Sequence, residues 1–447
     1  MSEVLEICDK AIKIAEKYDI SEVEAFSSFS SSIEIGIKKK ELKILRSKLD
    51  KGIGIRISRN KSIGFSFTSD FSKIEEAVKF AYKIAKNSPQ DPDFRSFNEV
   101  KARGKLNFLI DNEIKSMDVE KPLQIMADVL KVDLDSRIIS LNSDLSIAYL
   151  QIGIANSNGI ECNDEATFSE FSVEVSSKDG DNYAGSFDFH VSRSLNSLDA
   201  ISLVKSTCHS AVKNLNKSKI ASGKLPVLLD PITTANIVGS SISQGLNAEN
   251  IQRKRSFLSE DIGNEVFSDK LTIVDDGTLY EGIGSMSFDA EGYPSRRNDL
   301  VKKGKIVSVM HNSYTAKKEN RESTGNAVRG GDFWNYRSLP SISARNLIIE
   351  RGSKSWMEIL SGIKKGIYVR YTGDSPNTVT GEFTGIINEG YYIEEGEIKF
   401  SIVEATFSGK LKDILRNIVE VSMEDRYVGN IRSPYILIQE VSIGGIS

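Results

Sequence analysis

Between residues 23 and 68 the chain alternates apolar and polar side chains in period two, and few folds accept that pattern. "SIEIGIK" sets Ile33, Ile35 and Ile37 on one face, and "GIGIRIS" repeats this with Ile53, Ile55 and Ile57. "SIGFSF" follows with Ile63, Phe65 and Phe67, after a polar turn at Arg59, Asn60 and Lys61. Successive strand side chains point to opposite faces, so the three runs read as an antiparallel meander with one buried face. That face needs a cover, and helices flank it. The N-terminus "MSEVLEICDKAIKIAEKYDI" is amphipathic, and Ile74, Val78, Ala81 and Ala85 form a stripe behind a capping-box pattern at Ser72 to Glu75.

Residues 87 to 105 hold two prolines and read as a boundary loop. Beyond them the same plan recurs. A helix near 122–132 precedes strands near 136–154, an Asn-Gly turn in "NSNG", the strands "FSEFSVEVS" and "YAGSFDFHV", and a helix near 198–215. From Lys224 onward short strands and glycine-bearing turns dominate, which favours a curved antiparallel sheet or barrel-like body. The class is α+β: N-terminal antiparallel meanders flanked by helices, then a C-terminal curved sheet with a central helix. The expected domains are 1–216, with sub-units 1–100 and 101–216, and 217–447.

Composition excludes some function classes. The net charge of -4 and the interspersed signs argue against a dedicated nucleic-acid surface. Cys8, Cys162 and Cys208 lie far apart with no CxxC pair, which fits a reduced compartment. No apolar run approaches the ~20 residues that span a bilayer. A cytoplasmic protein with no membrane contact is expected.

The stretch "ANIVGSSISQGLNAENIQRKRS", Ala235 to Ser256, reads as a helix entered at Asp230-Pro231, with Ala235, Val238, Ile242 and Leu246 as its apolar stripe. No ionisable side chain appears on it before Glu249. Elsewhere the chemistry is sparse. Cys208 and His209 are adjacent on a helix, about 100° apart, and cannot easily share a proton. His190, His209 and His311 show no metal-ligand spacing. Asp275, Asp276, Asp289 and Glu291 sit in glycine-rich loops that could serve a cation or a general base, or could simply make turns. In "YTGDSPNTVTGEFTGIINEG", Gly373, Gly381, Gly385 and Gly390 would let another backbone approach as an added strand, unless they are ordinary bulges.

In order, "GIGIRISRNKSIGFSFTSD", "NSNGIECNDEATFSEFSVEV", the run from "RSFLSEDIG" through "LTIVDDGTLYEGIGSMSFDAEGYPSRRNDLVKKGKIVSVMHNSYTAKKENRESTGNAVR", "SGKLKDILRNI" and "SPYILIQEVSIGG" resemble the TldD/PmbA family, in its PmbA (TldE) branch. The resemblance spans nearly the whole chain. It implies that the TldD branch carries a zinc-binding HExxxH motif on the central helix, with a later cysteine, and that the PmbA branch lacks the motif and pairs with TldD. Laid without gaps on this chain, the motif falls on Gly239, Ser240 and Gln244, and the cysteine falls near Tyr371 to Gly373. A zinc peptidase needs three protein ligands, an open position for water and a general base. Glycine, serine and glutamine supply none of these well.

The expected protein is therefore the non-catalytic subunit of a heterodimeric zinc metallopeptidase acting on unfolded or modified peptides. Zinc is expected in the TldD-type partner and no cofactor in this chain, with a homodimer left open when the partner is absent. Gly373, Gly381, Gly385, Asp289 and Glu291 are the candidate cavity and peptide-binding residues. Two alternatives stand beside this: a self-contained hydrolase built on Asp275, Asp276, Asp289 and Glu291, and a regulatory binding protein of the DNA gyrase modulator type.

Overall fold

The computed structural model describes residues 2–102, 104–330 and 335–445. The N-terminal half runs α1 (Glu3–Ala15), β1 (Glu22–Lys38), β2 (Glu41–Arg59), β3 (Ser62–Thr68), α2 (Ile74–Asn87), α3 (Asn112–Lys115), α4 (Glu120–Leu130), β4 (Ile138–Asn156), β5 (Glu161–Asp179), β6 (Asn182–Ser192) and α5 (Ala200–Lys213). Its strands form one antiparallel sheet in the order β3-β2-β1-β4-β5-β6. The two meanders join through their first strands, with β1 and β4 in register from Glu24 opposite Asn156 to Ile37 opposite Ser143. Two-residue hairpins at Lys39-Lys40 and Asn60-Lys61 turn through positive φ at both positions, the geometry that matches strand twist.

Helix cover follows the alternation. Ile53, Ile55 and Ile57 pack with Cys8 and Ala11 of α1 and with Val78 and Ala81 of α2. Ile33, Ile35 and Ile37 pack with Met126 and Val129 of α4 and Val204 of α5. Gly64 is what lets α2 lie so close, since a Cβ there would stand 2.0 Å from the Ala81 carbonyl oxygen. The capping box expected at Ser72 to Glu75 does not form. Instead Asp70 accepts the Ser72 amide and a short 3-10 turn leads into α2.

The second face of this sheet is buried as well, contrary to the one-sided meander expected. Phe26, Leu150, Ile152 and Ile154 pack there against Met286, Phe288, Ala327 and Tyr336 of the C-terminal half. The alternation could not show this cover, because it comes from residues more than a hundred positions away.

The C-terminal half is a large curved sheet. Along it lie Ile273–Asp276, Leu347–Ile349, Ile431–Gly444, Gly223–Leu229, Lys365–Tyr371, Glu389–Glu394 and Glu397–Ile402 in neighbouring order. Most pairings are antiparallel, but Gly223–Leu229 runs parallel to Lys365–Tyr371, and Leu347–Ile349 parallel to Ile431–Gly444. The central helix follows Gly223–Leu229 directly. Val238, Ile242 and Leu246 belong to the main core with Val227, Leu347, Val369 and Ile438.

Candidate functional site

The central helix opens at Asp230, whose carboxylate accepts the Ile232 amide at 2.9 Å, with Pro231 in the first turn. Residues Pro231–Thr234 are α-helical, Ala235–Gly239 form a π turn, and Ser240–Gly245 return to α geometry. The Ser240 amide closes the π turn on the Ala235 carbonyl. All four stripe residues, Ala235, Val238, Ile242 and Leu246, are fully buried. The helix does not run on to Ser256. It stops at Gly245, where a Cβ would meet the Phe257 ring at 2.9 Å, and Asn247 caps a separate short helix, Ala248–Gln252.

The three motif positions do not share a face. Ser240 and Gln244, four apart, are exposed, whereas Gly239 is buried. Its missing side chain would point at Ile431 and Leu347, with Ile431 Cγ2 2.8 Å from a built Cβ. Ser240 Oγ is 3.3 Å from the Ala235 carbonyl oxygen, a back-bond to its own helix. A zinc ion does not fit these residues: none offers an imidazole, carboxylate or thiolate, and one is walled in by Ile431. Ligands at i and i+5 would lie roughly 140° apart on a regular helix and would need a π-like distortion to converge. The π turn is present one turn early, and the donors are not.

The acidic residues are consumed by the fold. Asp276 accepts the Thr278 amide and hydroxyl at 2.8 and 2.7 Å, a local turn. Asp275 accepts the Arg345 amide at 2.6 Å and the Asn326 side-chain amide at 2.7 Å, and burial pushes its carboxyl up to about 6. Asp289 accepts amides from Glu291, Tyr293 and Ala327 at 2.9, 3.0 and 3.1 Å. Burial, followed by the neighbouring Glu291 charge, pushes it up to about 7. Glu291 is held low despite its burial, because Arg56 bonds one oxygen at 3.0 Å and the Ser313 amide the other at 2.8 Å. Asp289 and Glu291 are each 1% exposed, so they do not line an open cavity. Nor do the four acids gather around one cation: among the described residues no group of three or more His, Cys, Asp or Glu side chains could hold a metal.

Of these acids, Glu291 belongs to a charged seam between the halves. Arg56 bridges Glu24 at 2.9 Å and Glu291 at 3.0 Å, and Arg329 reaches the other Glu24 oxygen at 2.7 Å. A second seam joins Arg370 to Glu389 at 2.7 Å and Asp188 at 3.1 Å, with Arg426 also on Asp188 at 2.8 Å. The reading of the sequence missed both seams. One signal was available: Arg56 interrupts the polar face of "GIGIRIS" between Gly54 and Ser58, small neighbours that suit a buried second face.

The glycine segment is mostly inward-facing. Gly381 packs on Phe257 with φ +76, and Gly385 leaves room for the Phe383 ring, which a Cβ would meet at 2.4 Å. Both positions serve packing, a correction to their expected place along an open edge. The strand Glu382–Ile386 pairs on one side with Thr406–Lys410. On its other side the Asn377 amide bonds the Glu382 carbonyl at 2.8 Å and Asp374 accepts the Ile386 amide at 2.7 Å, so both ends are already tied. Gly373 alone of the three is exposed. Its neighbour Tyr371 stacks edge-on against Phe187, ring centroids 4.7 Å apart. There the outer face of β5 and β6 and the Tyr371 corner enclose about 390 Å³, lined by Glu170, Glu174, Phe187 and Asp188 among others.

His190, His209 and His311 lie on β6, on α5 and in a buried loop, and do not converge. Cys208 is a packed core residue of α5. At the entrance to the central helix the buried Tyr368 hydroxyl donates to the Asp230 carboxylate.

The chain matches three family models, described as PmbA/TldA metallopeptidase domain 1 over residues 23–85, central domain over 112–215 and C-terminal domain over 222–445. It is 27% identical to an uncharacterised protein of Methanocaldococcus jannaschii, covering 96% of this chain and 98% of that one. It is 25% identical to the metalloprotease PmbA of Escherichia coli O157:H7, covering 98% and 96%. In Buchnera aphidicola from Acyrthosiphon pisum it matches both a metalloprotease PmbA homologue, at 25% over 97% of this chain and 95% of that one, and a metalloprotease TldD homologue, at 27% over 83% and 78%. Among solved structures, TldE from Thermococcus kodakarensis superposes with a TM-score of 0.85 at 24% identity, covering 98% and 99%. A Bacteroides thetaiotaomicron protein described as a candidate modulator of DNA gyrase does so with 0.89 at 21%, covering both chains completely.

Proposed function

The chain belongs to the PmbA/TldD metallopeptidase family, in its PmbA-like branch, and from that premise we propose that it is the metal-free subunit of a two-chain zinc metallopeptidase. Its partner is a TldD-type sibling that carries the zinc and the chemistry. The observation that carries this reading is the central helix. It keeps its apolar stripe and its π turn, yet has glycine, serine and glutamine where ligands would stand, with Gly239 turned into the core. The presence of both PmbA and TldD homologues in one organism, as in Buchnera, supports a paired arrangement.

In this role the chain shapes and closes a chamber through which unfolded or modified peptides pass. The Tyr371 corner, with its cavity and the exposed Gly373, is the wall that holds substrate. The working compartment is the cytoplasm, and among the described residues no helix is long and apolar enough to cross a membrane. The self-contained hydrolase loses its proposed residues, because each of its four carboxylates is spent on backbone amides or arginine.

Co-expression with the TldD-type sibling tests the reading. A stable one-to-one complex burying upward of ~2,000 Å², with peptidase activity above that of either chain alone, is the expected result. Separate purification of the two chains, with a sibling fully active by itself, would overturn it.

A further inference from the structure

β2 is only partly enclosed. β1 pairs along its whole length, but β3 pairs only from Ile53 to Arg59. From Glu41 to Gly52 the outer edge therefore has no strand partner among the described residues. A bulge at Gly36–Ile37 shifts the register, so that Leu42 stands opposite Ile37, Leu45 opposite Ile35 and Leu49 opposite Ser31. Facing residues of paired strands share a side of the sheet, so the three leucines continue the apolar row of Ile33, Ile35 and Ile37. The isoleucines are covered by helices, whereas Leu42, Leu45 and Leu49 are 46%, 61% and 69% exposed. An apolar face thus runs out to an open hydrogen-bonding edge.

The charge on this edge says what can cover it. Lys38 to Lys51 hold seven basic and two acidic side chains, in a chain whose net charge is -4. Two copies of the strand laid edge to edge would set lysines against lysines, which is destabilising. Edge lysines can also serve simply to block pairing, but that role does not call for a row of exposed leucines. A strand that pairs here must bring an apolar row of its own and acidic side chains.

We propose that residues 41–51 of β2 are the docking edge for the TldD-type subunit, which adds an extended, acidic and apolar strand to this sheet. The inference rests on the subunit reading and adds to it a surface and a reason for hetero- over homodimerisation. The test titrates the full-length sibling against the full-length chain and its variants, with backbone hydrogen exchange followed over 41–51. Leu45→Ser/Leu49→Ser should weaken the complex about 100-fold, and Lys43→Glu/Lys48→Glu about 10-fold. The outward-pointing amides of 41–51, those not bonded to β1, should become protected only in the complex. All four positions are exposed, so thermal unfolding of each variant should match the parent and exclude misfolding. If the parent complex forms but both variants bind within twofold, or the outward-pointing amides stay unprotected, this edge is not the interface and the subunit reading survives. Self-association of the isolated chain through 41–51 would overturn the charge selection, and failure of the parent to bind would sink both readings.

Discussion

The α-carbon of Gly239 rests against the side chain of Ile431, whose Cγ2 and Cδ1 would stand 2.8 and 3.0 Å from any Cβ placed there. Gly239 is buried and the partly buried Ile431 packs against the main core, so Gly239 is a packing residue as much as an empty motif position. Gly239→His should destabilise the chain by about 1–3 kcal/mol or more through overpacking. Ser240→Glu and Gln244→His, both exposed, should each stay within about 0.5 kcal/mol. Urea midpoints of the three single variants check the contrast. The triple variant should gain no zinc-dependent turnover, and robust activity would show the site to be latent.

The isolated chain should purify without stoichiometric zinc, and a chelator should leave its thermal midpoint unchanged. Elemental analysis together with thermal melts decides this. A tightly bound zinc whose removal lowers the midpoint would place a metal site away from Gly239, Ser240 and Gln244.

Breaking the seam at Arg56 should be costly. Glu291→Ala leaves a buried guanidinium with one carboxylate fewer, and the expected loss is about 3–5 kcal/mol. By contrast Asp144→Ala, which removes the half-exposed partner of Lys38, should cost about 0–1 kcal/mol. Denaturant unfolding of the two variants measures the difference.

The buried acids also set a pH dependence. Asp275 and Asp289 are raised from an ordinary 3.8 to about 6 and about 7, so the folded state binds protons that the unfolded chain releases. Their contribution to stability is therefore full below about pH 4 and is lost as the pH rises toward about 7. Asp50 acts in the opposite sense: its hydrogen bonds with Arg337 lower its carboxyl, so its contribution is lost as the pH falls below the ordinary range. Between about pH 5 and 7 the Asp289→Asn variant should show a less negative slope of unfolding free energy against pH than the parent. Equal slopes would show that Asp289 stays ionised in the fold.

Most elements were legible because their signals are local. Alternating isoleucines gave β1, β2 and β3, and the polar turn at Asn60-Lys61 marked a hairpin that the structure forms. Ala235, Val238, Ile242 and Leu246 were identified as a buried stripe, although the π turn beneath them and the stop at Gly245 were not. A stripe reports which side is buried and is silent on how the backbone closes each turn. Asp289 and Glu291 were legible as a cluster, but the place of Glu291 in a seam was not, since Arg56 lies 235 positions from it.

The sequence by itself determined the periodicity of the strands and the chemistry missing from the central helix, because both depend on residue type and near-neighbour spacing. Only the tertiary structure decided that Gly239 faces Ile431 while Ser240 and Gln244 face solvent, and that the leucines of β2 extend a covered face beyond its cover. Those outcomes depend on which distant segments fill the space around each residue. Packing and burial are settled by neighbours that the order of residues along the chain does not reveal.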